Sequence, residues 1–426
     1  MNQQQDSHSR PGPSGLRRPV LEAPFLRAPE DARTVFLVTL AAACAPLAAG
    51  VVFFGWRAII VAAICVVSCA VTERLYYRVT RTPALLGRTH AYLTGVLLAL
   101  TLPPFVPWYV PVVASAFAIV IGKAVFGGVG HFVWQPALVG RLAVAVMFPM
   151  TMNPADWPLL ARSRLLVGDI NNVRTVEDYH GWRRARAPRG ADGFRLPPPR
   201  TVLAKLTRTA ASARARGRSE AAYSALAYAP DPNTVPEARP AALRPPPPEA
   251  LPPINDLLYG ARPGAIGETC AVVIIVAGLY LLYRNYIRWQ LPAAFIAAAW
   301  CAAAIAPIRL AGPNVTTRIV WYPLMLEGLD VGFTYVNYQV LSGELLLAAV
   351  FLATEMTSRP VTTGGQVIFG AGCGVLAMLM QLYVAVPIPA YMAVLAMNTL
   401  SPTIDSLWRP RVFGRRRFEF LRSPNR

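Results

Sequence analysis

The chain of 426 residues is 54% hydrophobic and 15% charged, whereas soluble domains carry about a quarter charged residues. Its apolar residues are bunched into uncharged runs long enough to cross a bilayer core; lipid cannot satisfy free backbone groups, so such runs must be helices. The formal net charge is +19, but the arginines sit at run ends, in a central segment and near the C-terminus, as in membrane proteins, and no nucleic-acid-binding motif accompanies them, which excludes nucleic acid as the partner.

Residues 1–33 are polar, with no apolar core of a signal peptide, and read as a cytoplasmic tail. Apolar spans follow near 34–54, 57–73, 91–103, 109–122 and 137–150, forming a first membrane repeat over 34–150. Residues 151–266 form a long Pro/Arg-rich extracytoplasmic insert. It holds 17 of the 40 prolines and is expected to be mostly irregular or polyproline-like, with its best helix formers at 201–228. A second set of spans lies near 267–283, 291–307, 341–354, 365–384 and 386–400, forming a second repeat over 267–402. Residues 403–426 form a basic tail. The fold class is all-α integral membrane, with about ten transmembrane helices. Arg74, Arg78, Arg81 and Arg88, then Arg284, Arg288 and Arg359, fall in loops on one side, which the positive-inside rule assigns to the cytoplasm together with both termini.

The halves echo each other. Thr94-Gly95-Val96-Leu97-Leu98 precedes Pro103 and a Gly-rich stretch at 122–130; Ser342-Gly343-Glu344-Leu345-Leu346 precedes Pro360 and a Gly-rich stretch at 364–374. Five crossings per half would invert one half against the other, building a site near the midplane where broken helices meet.

The stretch Gly127-Gly128-Val129-Gly130-His131-Phe132-Val133-Trp134-Gln135-Pro136 is the most unusual. Its glycines let backbone approach a ligand, and Pro136 suits the first turn of a helix whose free N–H groups could face a phosphate or a flavin carbonyl. A helix-packing role is the alternative. Intramembrane charge is costly and usually functional, which singles out Lys123, His131, Arg141, Glu268, Glu344 and Glu355. Lys123 and Glu355 could instead sit at the inner interface, and Glu268 reads as a capping carboxylate. Glu344 is divided between ion or proton handling and a structural pair. Cys65 and Cys69 share a helix face and read as small buried apolar residues. No hydrolase triad or nucleotide-binding loop is present.

Three stretches carry a family resemblance. GGVGHFVWQPALVGRL (127–142), GETCAVVIIVAGLYLLYRNYIRWQLPAAF (267–295) and LSGELLLAAVFLATEMTSRPVTTGGQVIFGAGCGVL (341–376) resemble, in order and spacing, the flavin-bearing membrane subunits of two related complexes. These are the D-type subunits of Rnf electron transport complexes and the B-type subunits of Nqr, the Na+-translocating NADH:quinone reductase. The resemblance implies ten helices in two inverted five-helix repeats, a fold shared with urea transporters, in a bacterial inner membrane. It implies electron transfer through flavin coupled to Na+ or H+ movement, with other membrane and peripheral subunits, membrane lipid and quinone as candidate partners.

Departures from the family pattern bear on the cofactor. His131 and Gln135 replace two asparagines, and Glu355 replaces an aspartate. The family attaches FMN to a Thr of a DG(x)3–4ATPL motif. Here Asp192-Gly193-Phe194-Arg195-Leu196-Pro197-Pro198-Pro199-Arg200-Thr201-Val202-Leu203 occupies that place. Aligned without a gap the Thr falls on Pro198, which has no hydroxyl; with a gap, Thr201 is the candidate. The resemblance thus implies FMN on Thr201, or a noncovalent flavin near Gly127, Gly128, Gly130, His131 and Gln135 with Arg200 on its phosphate, or no flavin. Glu344 and Glu355 are the candidates for ion or proton handling. The alternative reading is a diverged non-redox transporter or membrane anchor.

Overall fold

The computed structural model describes residues 32–81, 89–152, 157–161, 193–196, 254–260, 264–311, 317–322, 329–341, 343–384 and 386–408. The first apolar runs form α1 (Ala32–Phe54) and α2 (Trp56–Thr80). Gly55 alone separates them at φ 69°, a left-handed conformation that glycine adopts without a Cβ clash. Next come α3 (Thr89–Thr101), α4 (Tyr109–Ile119) and α5 (Pro136–Met147). A π-helical turn, Val120–Ala124, extends α4.

The second half contains α6 (Ile254–Tyr259), α7 (Ala271–Tyr283), α8 (Gln290–Ile305) and α9 (Leu329–Leu341). It continues with α10 (Leu345–Leu347), α11 (Thr363–Leu379) and α12 (Pro389–Leu407). π turns extend α10 over Ala348–Leu352 and α11 over Met380–Val384.

Among the described residues, Ala32–Phe54, Trp56–Thr80 and Thr363–Val384 are each long and apolar enough to cross a membrane alone. Tyr335–Leu341 and Leu345–Leu352 form a fourth, broken span bent by 59°. Five shorter apolar helices, of 10–17 residues, accompany them. Large apolar side chains such as Val67, Leu75, Val276, Leu279 and Val361 point outward. An exposed apolar surface of this extent needs lipid or protein against it. The molecule is a multi-pass membrane protein.

Several expected boundaries shift. Helix α2 runs seven residues beyond the expected span and α12 continues past 402, because each apolar run leads into a polar but helix-compatible turn. The span expected at 341–354 is the second limb of a broken span. Its first limb, α9, was not anticipated because Thr334, Asn337 and Gln339 dilute its apolar character. The spans themselves are helical, as lipid demands, and two short strand pairs add to them outside the apolar runs. Strands β1 (Trp157–Ala161) and β2 (Gly193–Leu196) pair antiparallel within the insert. Strands β3 (Ile308–Ala311) and β4 (Thr317–Val320) pair between α8 and α9. Ile, Val, Thr and Trp suit a pleated surface, and these segments are too short for another crossing. The expected helix-forming stretch at 201–228 lies outside the described residues.

Glycine makes the close packing possible, as is usual between helices in lipid. A Cβ at Gly140 on α5 would lie 2.3 Å from Ala114 O on α4, and one at Gly374 on α11 would lie 2.2 Å from Phe295 O on α8. The packing order repeats: α2 meets α4 and α4 meets α5, while α8 meets α11 and α11 meets α12. Gly374→Ala should therefore destabilise by about 1–3 kcal/mol through overpacking, whereas Gly343→Ala, whose Cβ would meet nothing within 4 Å, should be tolerated. Thermal unfolding in detergent, followed by labelling of the buried thiols Cys65, Cys69 and Cys373, would read both.

Candidate functional site

Helices α5 and α12 run antiparallel through the centre of the bundle. The Gln135 end of α5 meets Asn398 of α12, Trp134 Nε1 donates to Thr399 Oγ1 at 2.9 Å, and farther along α5 Arg141 lies within electrostatic reach of Tyr391 near the start of α12. Each helix begins with a proline inside the packed bundle. Free amides there need acceptors. At α5 the acceptor is Gln135 Oε1, which takes the Leu138 N–H at 2.7 Å. At α12 it is Glu344 Oε1, which takes the Ala390 N–H at 2.8 Å. Glu344 reaches this position because the break between α9 and α10 turns it inward.

Around these helix starts the buried charges form three groups. In the first, Tyr391 donates its hydroxyl proton to Glu268 Oε1, and Glu268 Oε2 accepts from Ala265 N at 3.3 Å. Glu344 and Arg141 lie within electrostatic reach of Tyr391. Glu268 thus ties the turn before α7 to α12, whereas a helix-start cap on α7 was expected. In the second group, Lys123 Nζ meets Glu73 Oε1 at 2.6 Å. Lys123 is 1% exposed; the π turn that ends α4 aims it at α2. In the third, His90 Nε2 meets Glu355 Oε1 at 3.0 Å, joining residues 265 positions apart. Glu355 is likewise buried.

Sequence reasoning missed Glu73, His90 and Tyr391. Glu73 lies one turn beyond Cys69 on the buried face of α2, a face that the Cys65–Cys69 spacing already marked. His90 lies just before the predicted span near 91–103 and was passed over as a boundary residue.

The glycine turn lies at the start of α5. Gly127, Gly128 and Gly130 have φ of 102°, 96° and 94°, conformations that side chains disfavour. A Cβ at Gly130 would meet nothing within 4 Å, and His131 beside it is exposed. The turn therefore presents open backbone and an imidazole. Gln135, an expected flavin contact, is 1% exposed, and its side-chain oxygen caps the start of α5. Phe132 instead turns inward, its ring 5.4 Å from that of His90.

The insert begins at the opposite end of α5, whose twelve residues are about 18 Å of helix. Strand β2 then leads the chain to Leu196, opposite Trp157. Arg200 and Thr201, the expected phosphate partner and attachment point, lie outside the described residues. The glycine turn and the start of the insert thus lie at opposite ends of α5.

Lys123→Met leaves Glu73 as an unpaired buried charge and should cost about 3–5 kcal/mol. Exchanging both residues for Met and Leu should recover most of the loss. A double-mutant thermal-unfolding cycle tests this: a loss in the double variant equal to the sum of the two single losses would mean that the pair is not coupled.

The profile of the NQR2, RnfD, RnfE family matches residues 20–414. The D-type subunit of the ion-translocating oxidoreductase complex of Halorhodospira halophila is 31% identical over 404 residues, covering 93% of this chain and 96% of the relative. The D-type subunit of the proton-translocating ferredoxin:NAD(+) oxidoreductase complex of Clostridium ljungdahlii is 27% identical, with 93% and 96% covered. The D-type subunit of the Na(+)-translocating ferredoxin:NAD(+) oxidoreductase complex of Acetobacterium woodii is 27% identical, with 94% and 96% covered. With apolar helices throughout, buried charges between them and a family match across nearly its whole length, this chain belongs to the NQR2, RnfD, RnfE family of membrane subunits.

Proposed function

We propose that this chain is the D-type subunit of a bacterial ion-translocating oxidoreductase complex, passing electrons through bound flavin and coupling them to movement of Na+ or H+. The full-length match to relatives named as such subunits carries the reading. Ten crossings in two inverted repeats, with both termini cytoplasmic, accord with the repeated packing order and with the antiparallel pair α5 and α12. The partners are the other membrane and peripheral subunits, surrounding lipid and, as a candidate acceptor, quinone.

A bound FMN or related flavin would supply reversible one- and two-electron chemistry. The chain's residues would hold and orient it. Thr201 and Arg200 are the candidates on the insert; Gly127, Gly128, Gly130 and His131 are the candidates at the glycine turn. Gln135 would support that turn as a helix cap. Glu344 and Glu355 are the candidates for ion handling. Glu344 Oε1 accepts from the start of α12 and Glu355 Oε1 meets His90, while Glu355 Oε2 is buried with no hydrogen bond among the described residues, which supports Glu355 as the first candidate. The second reading, a non-redox transporter or anchor, is favoured by one observation: Pro198 falls where the ungapped motif would place its Thr.

The test is the absorption and fluorescence of the protein purified with its partner subunits, before and after denaturation. Flavin that stays on the denatured chain and disappears in Thr201→Ala is the expected sign of attachment at Thr201. Flavin released on denaturation keeps the redox role and removes the covalent site. No flavin at all overturns the redox reading in favour of the transporter or anchor. In the flavin-loaded complex, Glu355→Gln should lower ion uptake into vesicles at least tenfold while electron transfer persists; unchanged uptake would remove Glu355 from the ion path.

A further inference from the structure

The bonding at His90 favours one placement of its protons. Thr94 Oγ1 lies 2.9 Å from the His90 carbonyl oxygen, one turn back on the same helix, and 3.3 Å from His90 Nδ1. A hydroxyl has one proton. With that proton given to the nearer carbonyl, a common bond for helical Thr, the hydroxyl oxygen can only accept from Nδ1, so Nδ1 carries a hydrogen. A neutral imidazole protonated on Nδ1 presents a bare lone pair at Nε2. Nε2 faces Glu355 Oε1 at 3.0 Å in a buried site. Two acceptors at that distance repel, so one further proton lies between them, as imidazolium with carboxylate or as imidazole with carboxylic acid.

The surroundings suit a proton better than an alkali cation. A hard cation requires several oxygens around it. Here Oε1 is engaged by the imidazole and the Thr94 hydroxyl by the His90 carbonyl. The rings of Phe36 and Phe132 stand 5.0 and 5.4 Å from the imidazole centroid. Of the other titratable or charged groups on the neighbouring elements, all but Arg359, whose buried Nη1 has no hydrogen bond among the described residues, are engaged or face outward. Lys123 pairs with Glu73; Arg33 on α1 and His131 on the glycine turn are exposed; Arg359 lies beside Arg288. Glu355 Oε2 is buried and accepts no hydrogen bond from the described residues.

We propose that Glu355, His90 and Thr94 form a proton-holding relay, so that the ion handled at Glu355 is H+ and not Na+. This rests on the ion-coupled reading above. In the loaded state the pair shares one proton beyond that on Nδ1. Release takes the Nδ1 proton to water; the remaining ring proton then sits on Nε2 and is donated to the Glu355 carboxylate. The Thr94 hydroxyl turns from the His90 carbonyl to donate to Nδ1. Loading reverses these steps, and no electron is exchanged. Thr94 is a positioning residue: it makes two bonds in the loaded state and one in the released state, and so favours retention of the proton.

The test needs neither electron flow nor partner activity, so its failure is distinct from failure of the redox reading. Infrared spectra of the purified protein in lipid are recorded from pH 5 to 10, in K+ and in Na+, for wild type, Thr94→Ser, Thr94→Val and Glu355→Gln. The expected result is a one-proton carboxyl or imidazole change that vanishes in Glu355→Gln and is the same in both salts. It should move in Thr94→Val, which lacks the hydroxyl that bonds Nδ1, and stay at the wild-type pH in Thr94→Ser. A Na+-induced shift of the Glu355 carboxylate bands would overturn the proposal. So would an unmoved titration in Thr94→Val, or the absence of any Glu355-dependent titration. If Thr94→Val does not fold, His90→Gln, which removes the second proton-binding atom, should convert the change to that of a lone carboxyl.

Discussion

A helix that begins inside a packed, water-poor bundle has no solvent to take its first amides, and the architecture of this protein follows from meeting that need. Both α5 and α12 begin there, each at a proline, which lowers the number of free donors by one. A side-chain carbonyl from the preceding residue serves α5. A carboxylate from a distant break serves α12. That second solution explains why a span must be broken at all: without the 59° bend between α9 and α10, no acceptor would be delivered to Ala390. The broken span is a structural requirement before it is a functional opportunity.

The same economy governs the charges. Lys123, Glu73, His90, Glu355, Glu268 and Glu344 are all buried, and each has a bonded partner from a different segment of the chain. Pairing of this kind contributes little net stability compared with apolar packing, but losing one partner is severe. These contacts therefore act as registration pins between helices whose apolar faces could slide. Because His90 and Glu355 come from opposite halves, their contact also makes the state of one half sensible to the other.

The membrane spans were legible because uncharged apolar runs have one structural solution in lipid. The run from Leu329 to Leu341 was not, since Asn337 and Gln339 make it look like a loop until Gln381 is seen bonding Gln339 from α11. Glu344 and Glu355 stood out as charges inside apolar runs, and both proved to be buried, but their partners could not be read from spacing. Ala390 offers only its backbone, and His90 lies 265 residues from Glu355. Gln135 shows a local rule running beside a family reading. Family comparison suggested a ligand contact, while the plain local rule, an acceptor side chain immediately before a helix-initiating proline, already described its role. The strand pair that brackets part of the insert was hidden because a proline-rich composition says nothing about which of its segments find each other.

The π turns that extend α4, α10 and α11 have a consequence for how this chain tolerates change in length. Each packs one extra residue into a helical turn. Deleting a single residue within Val120–Ala124 would let that stretch relax to ordinary α-helix, with its backbone bonding intact. Side chains beyond would keep their direction, because the wide turn absorbs the residue that is removed, but Lys123, inside the turn, would be aimed away from Glu73. These turns thus act locally: the helices could shed a residue at little cost in bonding, but the charges they aim would lose their targets.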